Sequence, residues 1–200
     1  MKLKPSAILF DLDGVLVDSL EAWWLALNKA LKDYNYKEMS KETFIEKYWG
    51  HDLYDNFDAM NIDYEVGFHC NKLYYNYVDR VKLYPSSRQI LEKLSNYKKG
   101  IITNTPKNSA EKVLKYFDIY KYFQTVMTSD DVKMGKPNPE IILKSCKKLN
   151  VKPKDIIIIG DTQSDIIAAK KAGSKIIGVN VVGDFQINDL SELENYFLII

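Results

Sequence analysis

Cysteine and long apolar runs are both scarce in this sequence. Its 200 residues include two cysteines, Cys70 and Cys146, which lie far apart and form no C-x-x-C pair. This spacing predicts neither a disulfide framework nor a zinc site. The apolar run nearest the N-terminus, Ala7–Phe10, ends at a carboxylate and is much too short for a signal peptide or a membrane span. We therefore expect a reduced, cytoplasmic protein with no membrane partner.

An excess of charge of one sign is also missing. Lysine and arginine total 28 and aspartate and glutamate 27, which leaves a net charge of +1. Proteins that bind nucleic acid usually carry an excess of positive charge, so we expect no nucleic-acid partner. With 46% apolar and 28% charged residues, the composition is that of a folded chain and not of a disordered one. The length fits one domain, or one domain with an insert.

Short apolar runs rich in isoleucine and valine recur along the chain. These runs are Ala7–Phe10, 100–103, Ile156–Gly160 and Lys175–Val179, with a weaker one at 125–128. Continuous runs of this kind are typical of strands buried on both faces. Helical periodicity separates them, for example at Ala110, Val113, Leu114 and Phe117. The alternation predicts an α/β fold with a doubly wound, Rossmann-like parallel sheet.

Between Val15 and Leu83 this alternation stops, and the patterns are helical. The strongest pattern follows Ser19, a favourable N-cap residue. Its apolar residues, spaced for one face of a helix, are Leu20, Trp23, Trp24, Leu27 and Leu31. Further helices are predicted at 40–48 and at 64–83.

A structureless loop of this length is uncommon inside a compact domain. Gly50 ends the second predicted helix, and Pro85 prevents the third from continuing. We therefore predict an all-helical cap at 18–83, inserted into a core that consists of residues 1–17 and 84–200.

Acidic side chains follow two of the predicted strands. Asp11 and Asp13 come directly after the first strand, and residues i and i+2 of a strand point to the same face. Both carboxylates can therefore approach one site at the carboxyl edge of the sheet, although Asp and Gly also favour ordinary turns. Asp161 emerges from four isoleucines and a glycine, where an isolated charge is costly unless it is paired or bound to a metal. Asp165 has an alternative role, as a first-turn acid that interacts with the helix dipole.

Polar residues also follow the strand that ends near residue 102. Thr103 and Asn104 offer a hydroxyl and a backbone N–H, which together suit a small anion cradle, although Thr-Asn also occurs in ordinary turns. Downstream, Lys136 lies between Gly135 and Pro137, whose backbone preferences restrict its position. A point charge held at the edge of the sheet suits phosphate.

Together these residues resemble the motifs of a known superfamily. The motifs are Asp11-x-Asp13-Gly14, Thr103-Asn104, Lys136-Pro137 and Gly160-Asp161-x-x-x-Asp165. In order and approximate spacing they are similar to the four motifs of the haloacid dehalogenase-like hydrolases. The helical insert after the first motif resembles the branch that contains phosphoglycolate phosphatase and β-phosphoglucomutase.

The resemblance implies a magnesium-dependent phosphatase that hydrolyses a small phosphorylated metabolite through an aspartyl-phosphate. Asp11 would be the nucleophile, and Asp13 would be the general acid and base. Mg²⁺ would be held by Asp11, Asp161 and the backbone carbonyl of Asp13. Asp165 would bind the metal through water or support the other ligands.

Thr103, the Asn104 N–H and Lys136 would hold the phosphoryl oxygens during transfer. In the cap, the turn after the second predicted helix is the candidate for substrate contact. Its residues are Trp49, Gly50 and His51.

Three alternatives share this scaffold. Haloacid dehalogenases lack the second aspartate of the first motif, so Asp13 argues against that activity. Sugar phosphomutases resembling β-phosphoglucomutase usually have Glu-Asp in the last motif and an arginine after the cap-loop glycine. Here Gly160 precedes Asp161 and His51 follows the glycine, which favours hydrolysis. A noncatalytic binding module with the same fold is the third alternative; the substrate and the choice between monomer and homodimer stay open.

Overall fold

The computed structural model describes residues 2–198, so residues 1, 199 and 200 of the predicted core lie outside the described residues. The strands are β1 (Ala7–Phe10), β2 (Val17–Asp18), β3 (Lys82–Leu83), β4 (Lys98–Ile102), β5 (Thr125–Met127), β6 (Ile156–Gly160), β7 (Lys175–Val179) and β8 (Phe185–Ile187). The α-helices are α1 (Leu20–Asp33), α2 (Lys41–Lys47), α3 (Leu53–Ala59), α4 (Tyr64–Asn76), α5 (Ser87–Lys93), α6 (Lys107–Tyr116), α7 (Glu140–Leu149) and α8 (Gln163–Ala172).

Six strands form one parallel sheet in the order β5-β4-β1-β6-β7-β8. The chain starts at β1 in the middle, builds outward through β4 and β5, and then returns to add β6 on the other side of β1. In sheets of this kind, ligands bind outside the carboxyl ends of the strands where the winding direction reverses. The predicted α/β fold with a Rossmann-like parallel sheet is confirmed, and the reversal point lies at β1.

The buried strand β1 shows how the sheet is covered on both faces. Ile8 and Phe10 belong to one apolar cluster, and Ala7 and Leu9 belong to the other. All four side chains are fully buried, which explains why this strand has no polar alternation in the sequence. Packing against the two clusters sets the position and direction of β1 within the sheet. It therefore also sets where the residues directly after β1 lie.

Helices α1 to α4 lie between β2 and β3 along the chain, as the helical patterns predicted. Trp23 on α1 stacks on Tyr74 of α4, with the ring centroids 3.8 Å apart and the planes 11° from parallel. Both rings are buried, so the aromatic stripe is part of a core. Helix α2 begins after Ser40, whose Oγ accepts a hydrogen bond from Thr43 N.

The sequence prediction was wrong at three points in this segment. The helix that begins at Tyr64 ends at Asn76 and not at residue 83, and Lys82–Leu83 pairs antiparallel with Val17–Asp18 as a two-stranded ribbon. This pairing satisfies backbone groups that a continued helix would carry away from residues 17–18. Helix α3 was also missed, although Asp52 caps it by accepting hydrogen bonds from Tyr54 N and Asp55 N. Finally, the Ser19 side chain does not cap α1.

No helix in the part of the chain from 2 to 198 combines the length and the apolar character needed to span a membrane.

Candidate active site

The polar residues predicted from the sequence converge at the carboxyl edge of the sheet. Asp11 follows β1, Thr103 follows β4 and Asp161 follows β6. Because β1 lies between β4 and β6, the three strand ends are adjacent. Carboxylate oxygens of Asp11, Asp161 and Asp165 lie within 4.8 Å of one another. The carboxylates of three of the four acids predicted from the sequence therefore lie together, and that of Asp13 is not in this group.

Lys136 lies inside this cluster and is almost completely buried, at 2% exposure. Its Nζ is 2.8 Å from Asp11 Oδ2 and 2.7 Å from Asp165 Oδ1, and it donates to the Ile102 carbonyl at 3.1 Å. The backbone N–H of Lys136 donates to Asn104 Oδ1 at 2.7 Å. The lysine is therefore held by two acids of the site before any phosphate arrives.

Burial and mutual repulsion set the ionisation of this cluster. Burial raises the pKa of Asp11 to about 7, because the nearby Lys136 ammonium offsets only part of the desolvation and Asp165 adds repulsion. Burial, together with the charges of Asp11 and Asp165, raises the pKa of Asp161 well above its ordinary value. Burial alone would lower the pKa of Lys136, but the two facing carboxylates more than offset it, and its pKa is above the ordinary value.

Asp165 is fully buried, and both of its carboxylate oxygens accept hydrogen bonds. Oδ1 faces Lys136, and Oδ2 accepts from the Thr162 N–H at 3.1 Å and from Thr162 Oγ1 at 2.6 Å. Thr162 Oγ1 in turn accepts from the Asp165 N–H, which completes a capping box at the start of α8. The residue thus acts as a first-turn acid of α8, which is one of the roles considered for it from the sequence, and it also orients the lysine.

The Asp13 carboxylate makes contacts that the sequence motifs did not reveal. Thr105 Oγ1 donates to Asp13 Oδ2 at 2.6 Å, and the hydroxyl of Ser19 donates to Oδ1. Thr103 Oγ1 lies 3.4 Å from the same Oδ2. Within residues 2–198, the backbone carbonyl of Asp13 accepts no backbone hydrogen bond. The side chain is therefore held by hydroxyls, while its carbonyl stays available.

Asn104 joins three loops. Its side-chain Oδ1 binds the Lys136 N–H, and its Nδ2 donates to the Lys136 carbonyl at 2.8 Å and to the Gly50 carbonyl at 3.3 Å. Gly50 has φ +80°, and a Cβ at this position would lie 2.6 Å from Thr162 Cγ2. The turn predicted to contact substrate therefore lies directly on the loops that follow β4 and β6.

A cavity of about 60 Å³ lies between this turn and the acids. Trp49, Gly50 and His51 line it, together with Asp11 and Asp13, as expected from the sequence. The opposite wall is apolar and was missed in the sequence, because its residues come from several helices whose packing no local pattern reveals. This apolar wall consists of Trp23, Leu27, Phe44, Leu53, Phe57 and Met60.

Comparisons with known proteins identify the family. The family model described as haloacid dehalogenase-like hydrolase matches residues 8–179. Pyrophosphatase PpaX of Bacillus velezensis is 31% identical over 181 residues, which cover 88% of this chain and 83% of the relative.

Two solved structures share the fold over nearly the whole chain. A predicted phosphoglycolate phosphatase of Haemophilus somnus is 25% identical with a TM-score of 0.78, and the match covers 95% of this chain and 96% of that one. β-Phosphoglucomutase of Clostridium difficile is 24% identical with a TM-score of 0.83, and the match covers 95% and 93%. The resemblance inferred from the four motifs is confirmed. The chain belongs to the haloacid dehalogenase-like hydrolase family.

Proposed function

We propose that the chain is a magnesium-dependent phosphatase that hydrolyses a small phosphomonoester through an aspartyl-phosphate on Asp11. The observation that carries this proposal is the placement of the Asp11 carboxylate between Lys136 and Asp161, with a second, hydroxyl-held acid at Asp13. The names of the pyrophosphatase and phosphoglycolate phosphatase relatives support phosphoryl transfer to water. We also propose that residues 18–83 act as the cap of this site.

The donor set suits a magnesium ion. Asp161 Oδ1 is buried and has no hydrogen-bond partner within the described residues, although a buried carboxylate oxygen normally has one. Asp11, Asp161 and Asp165 repel one another, so a further positive charge besides that of Lys136 would stabilise the cluster. Hard carboxylate and carbonyl oxygens are the ligands that Mg²⁺ prefers. Asp11, Asp161 and the Asp13 carbonyl would hold the ion, which would neutralise charge on the phosphoryl oxygens.

The side chains around Asp11 have different proposed roles in the reaction. Lys136 favours the ionised form of the Asp11 carboxyl, against its burial, and orients the carboxylate so that one oxygen can attack phosphorus. Asp13 gives a proton to the departing alcohol oxygen, and later takes one from the water that hydrolyses the aspartyl-phosphate. The Thr103 hydroxyl and the Asn104 N–H bind the oxygens of the phosphoryl group as charge develops on them.

One contact favours hydrolysis over the phosphomutase alternative. A Cβ at Gly160 would lie 2.5 Å from both Cβ and Cγ of Asp165. The glutamate that phosphomutases usually carry at this position therefore does not fit while Asp165 holds Lys136.

The test is the release of p-nitrophenol from p-nitrophenyl phosphate by the purified protein, with and without Mg²⁺. We expect magnesium-dependent release, and we expect Asp11→Asn to abolish it while the far-UV circular dichroism spectrum stays unchanged. Hydroxylamine should trap the aspartyl-phosphate in the unsubstituted enzyme. Unchanged turnover in the Asp11→Asn variant would remove this residue from the mechanism, and no turnover with any divalent metal would favour a noncatalytic binding module.

A further inference from the structure

We propose that the leaving group of the substrate is an uncharged alcohol with an apolar or aromatic body, and not a second phosphate or a carboxylate-bearing fragment. This inference rests on the proposed phosphatase function and concerns the half of the cavity that faces away from Lys136. Three observations support it. They are the apolar composition of the wall, the lysine and arginine residues in the cavity lining, and the groups bound at the N-termini of the neighbouring helices.

The apolar wall is the part of the lining that would face whatever departs from phosphorus. Its rings are already packed in the protein, since Trp23 on α1 and Phe57 on α3 are buried and Phe44 packs edge-on against Trp49, with the ring centroids 6.0 Å apart. An apolar body placed against these rings would stay out of water. They provide no hydration for an anionic group, whose desolvation would be unfavourable without a partner.

Positive charge is confined to one side of the cavity. Among the described residues that line it, Lys136 is the sole lysine or arginine, and it is already bound to Asp11 and Asp165. In the proposed reaction this lysine acts on the Asp11 carboxylate, which attacks the transferred phosphoryl group. His51 also lines the cavity, but its side chain is largely exposed to solvent. A second anionic group on the substrate would therefore have no buried cation to pair with.

Two helix N-termini beside the cavity, those of α6 and α8, are occupied by the chain's own carboxylates. The first N–H of α6, on Lys107, donates to Asp130 Oδ2 at 2.8 Å. At the start of α8, the Asp165 carboxylate accepts from the Thr162 N–H. A helix N-terminus can bind an anion, but here each already has one, and its charge would repel another.

One neutral polar group completes the wall. Asn56 lines the cavity, and its Nδ2 donates to the Tyr48 carbonyl at 2.9 Å, which leaves Oδ1 as an acceptor. A hydroxyl on the departing alcohol would satisfy it. Pyrophosphate and phosphoglycolate each carry a second anionic group. An apolar wall with one neutral acceptor and no second cation does not suit that group, although relatives are named for those two compounds.

A matched pair of esters tests the inference. Phenyl phosphate and 4-carboxyphenyl phosphate differ by one carboxylate on the leaving group, and their kcat/KM values are compared at saturating Mg²⁺. We expect phenyl phosphate to be favoured by about tenfold or more, the size of effect that one unpaired charge in a binding pocket produces. Inorganic pyrophosphate and 2-phosphoglycolate should be poorer than phenyl phosphate as well.

A cap variant then tests whether the missing cation is the cause. Met60 lies in the apolar wall and is partly exposed, so Met60→Lys can place an ammonium there, and Met60→Leu is the matched control. We expect Met60→Lys to shift the preference toward 4-carboxyphenyl phosphate relative to Met60→Leu, with both variants folded by circular dichroism.

The outcomes separate the two proposals. Equal use of both esters, or a preference for the carboxylate ester in the unsubstituted enzyme, would overturn the inference about the leaving group and leave the phosphatase proposal in place. Hydrolysis of no ester with Mg²⁺ would overturn the phosphatase proposal itself.

Discussion

Lys136 is a buried lysine that faces two carboxylates, and its contacts explain why the site can hold several acids. A buried ion pair recovers its desolvation cost only when the geometry is good and the remaining polar atoms are satisfied. Here the ammonium contacts Asp11, Asp165 and one backbone carbonyl, and Asp165 has no oxygen without a partner. Removing the lysine would leave the Asp165 carboxyl group buried without its cationic partner.

We therefore expect Lys136→Met to lower the free energy of unfolding by roughly 3–5 kcal/mol, as breaking a buried pair does. Adding Asp165→Asn should recover part of this loss, because the uncompensated charge is then gone. The control is Lys144→Met, which breaks an exposed pair with Glu140 and should cost less than about 1 kcal/mol. Urea unfolding measures all three, and equal losses for Lys136→Met and the control would contradict the prediction.

Asp13 offers a different test, because its carbonyl and its carboxylate are assigned different roles. We expect Asp13→Asn to bind Mg²⁺ with nearly the same affinity, since the proposed ligand is the backbone oxygen. Turnover should fall by roughly 10²–10⁴-fold, the range expected for the loss of a general acid and base. Calorimetry and steady-state kinetics separate the two effects, and a collapse of metal affinity would show that the roles were wrongly divided.

Thr105 holds that carboxylate through a 2.6 Å hydrogen bond and is proposed as a positioning residue. Thr105→Val keeps the side-chain shape and removes the donor, so we expect kcat to fall by about tenfold while KM changes little. Thr105→Ser restores the hydroxyl and should recover most of the rate. A loss of kcat in both variants would indicate that the methyl group, and not the hydrogen bond, is what matters.

At the scale of elements, the turn after α2 contacts the loops that follow β4 and β6. Gly50 has positive φ, and its carbonyl accepts from Asn104 while its α-carbon approaches Thr162. A side chain here would strain the backbone and also push the turn away from the site. Gly173 at the end of α8 shares the positive φ, but a Cβ there would meet no atom of the described residues within 4 Å.

Comparing substitutions at these two glycines separates the effect of backbone strain from the effect of moving the turn at Gly50. Both Gly50→Ala and Gly173→Ala should cost about 1–2 kcal/mol of stability, because each forces a side chain into the left-handed region. Only Gly50→Ala is expected to lower kcat/KM as well. Thermal unfolding and kinetics on one phosphate ester check both expectations, and an equal loss of activity in Gly173→Ala would argue against a specific role for the turn.

At the scale of the whole molecule, the reactivity of the two cysteine thiols can measure the unfolding of the two proposed parts of the chain, residues 18–83 and the core. Cys70 lies on α4 in the segment 18–83, and Cys146 lies on α7. Burial raises the pKa of Cys146 to about 11 and that of Cys70 even further above its ordinary value. At pH 8 less thiolate is therefore present in the folded chain than in the unfolded chain, where the ordinary pKa returns.

We expect both thiols to resist iodoacetamide at pH 8 in the folded protein and to react readily once it unfolds. If residues 18–83 open as a unit, Cys70 should become reactive at a lower urea concentration than Cys146. Mass spectrometry of the labelled peptides measures the order. Simultaneous labelling of both thiols would contradict the proposed division of the chain.

Much of the core could be predicted because its signals are local. The continuous apolar runs predict buried strands, and an acid directly after a run must emerge at one edge of the sheet. The positions of Asp11 and Asp161 at this edge could be predicted from the apolar runs that precede them. The ribbon of β2 and β3 could not be predicted in this way, because each strand has two residues and its pairing partner is far away in the sequence. The same holds for the apolar wall of the cavity, whose residues come from α1, α2 and α3 and from Met60 directly after α3.

The parallel sheet and the acids at its carboxyl edge could be predicted from patterns that extend over a few residues, and the family could be predicted from the resemblance of four motifs to those of known hydrolases. The contacts that these acids make are visible in the tertiary structure alone. Lys136 reaches Asp11 and Asp165 from a separate loop, and Thr105 reaches Asp13 because β4 lies beside β1. The order of the strands sets these neighbours. That order depends on long-range packing, so no local pattern records it.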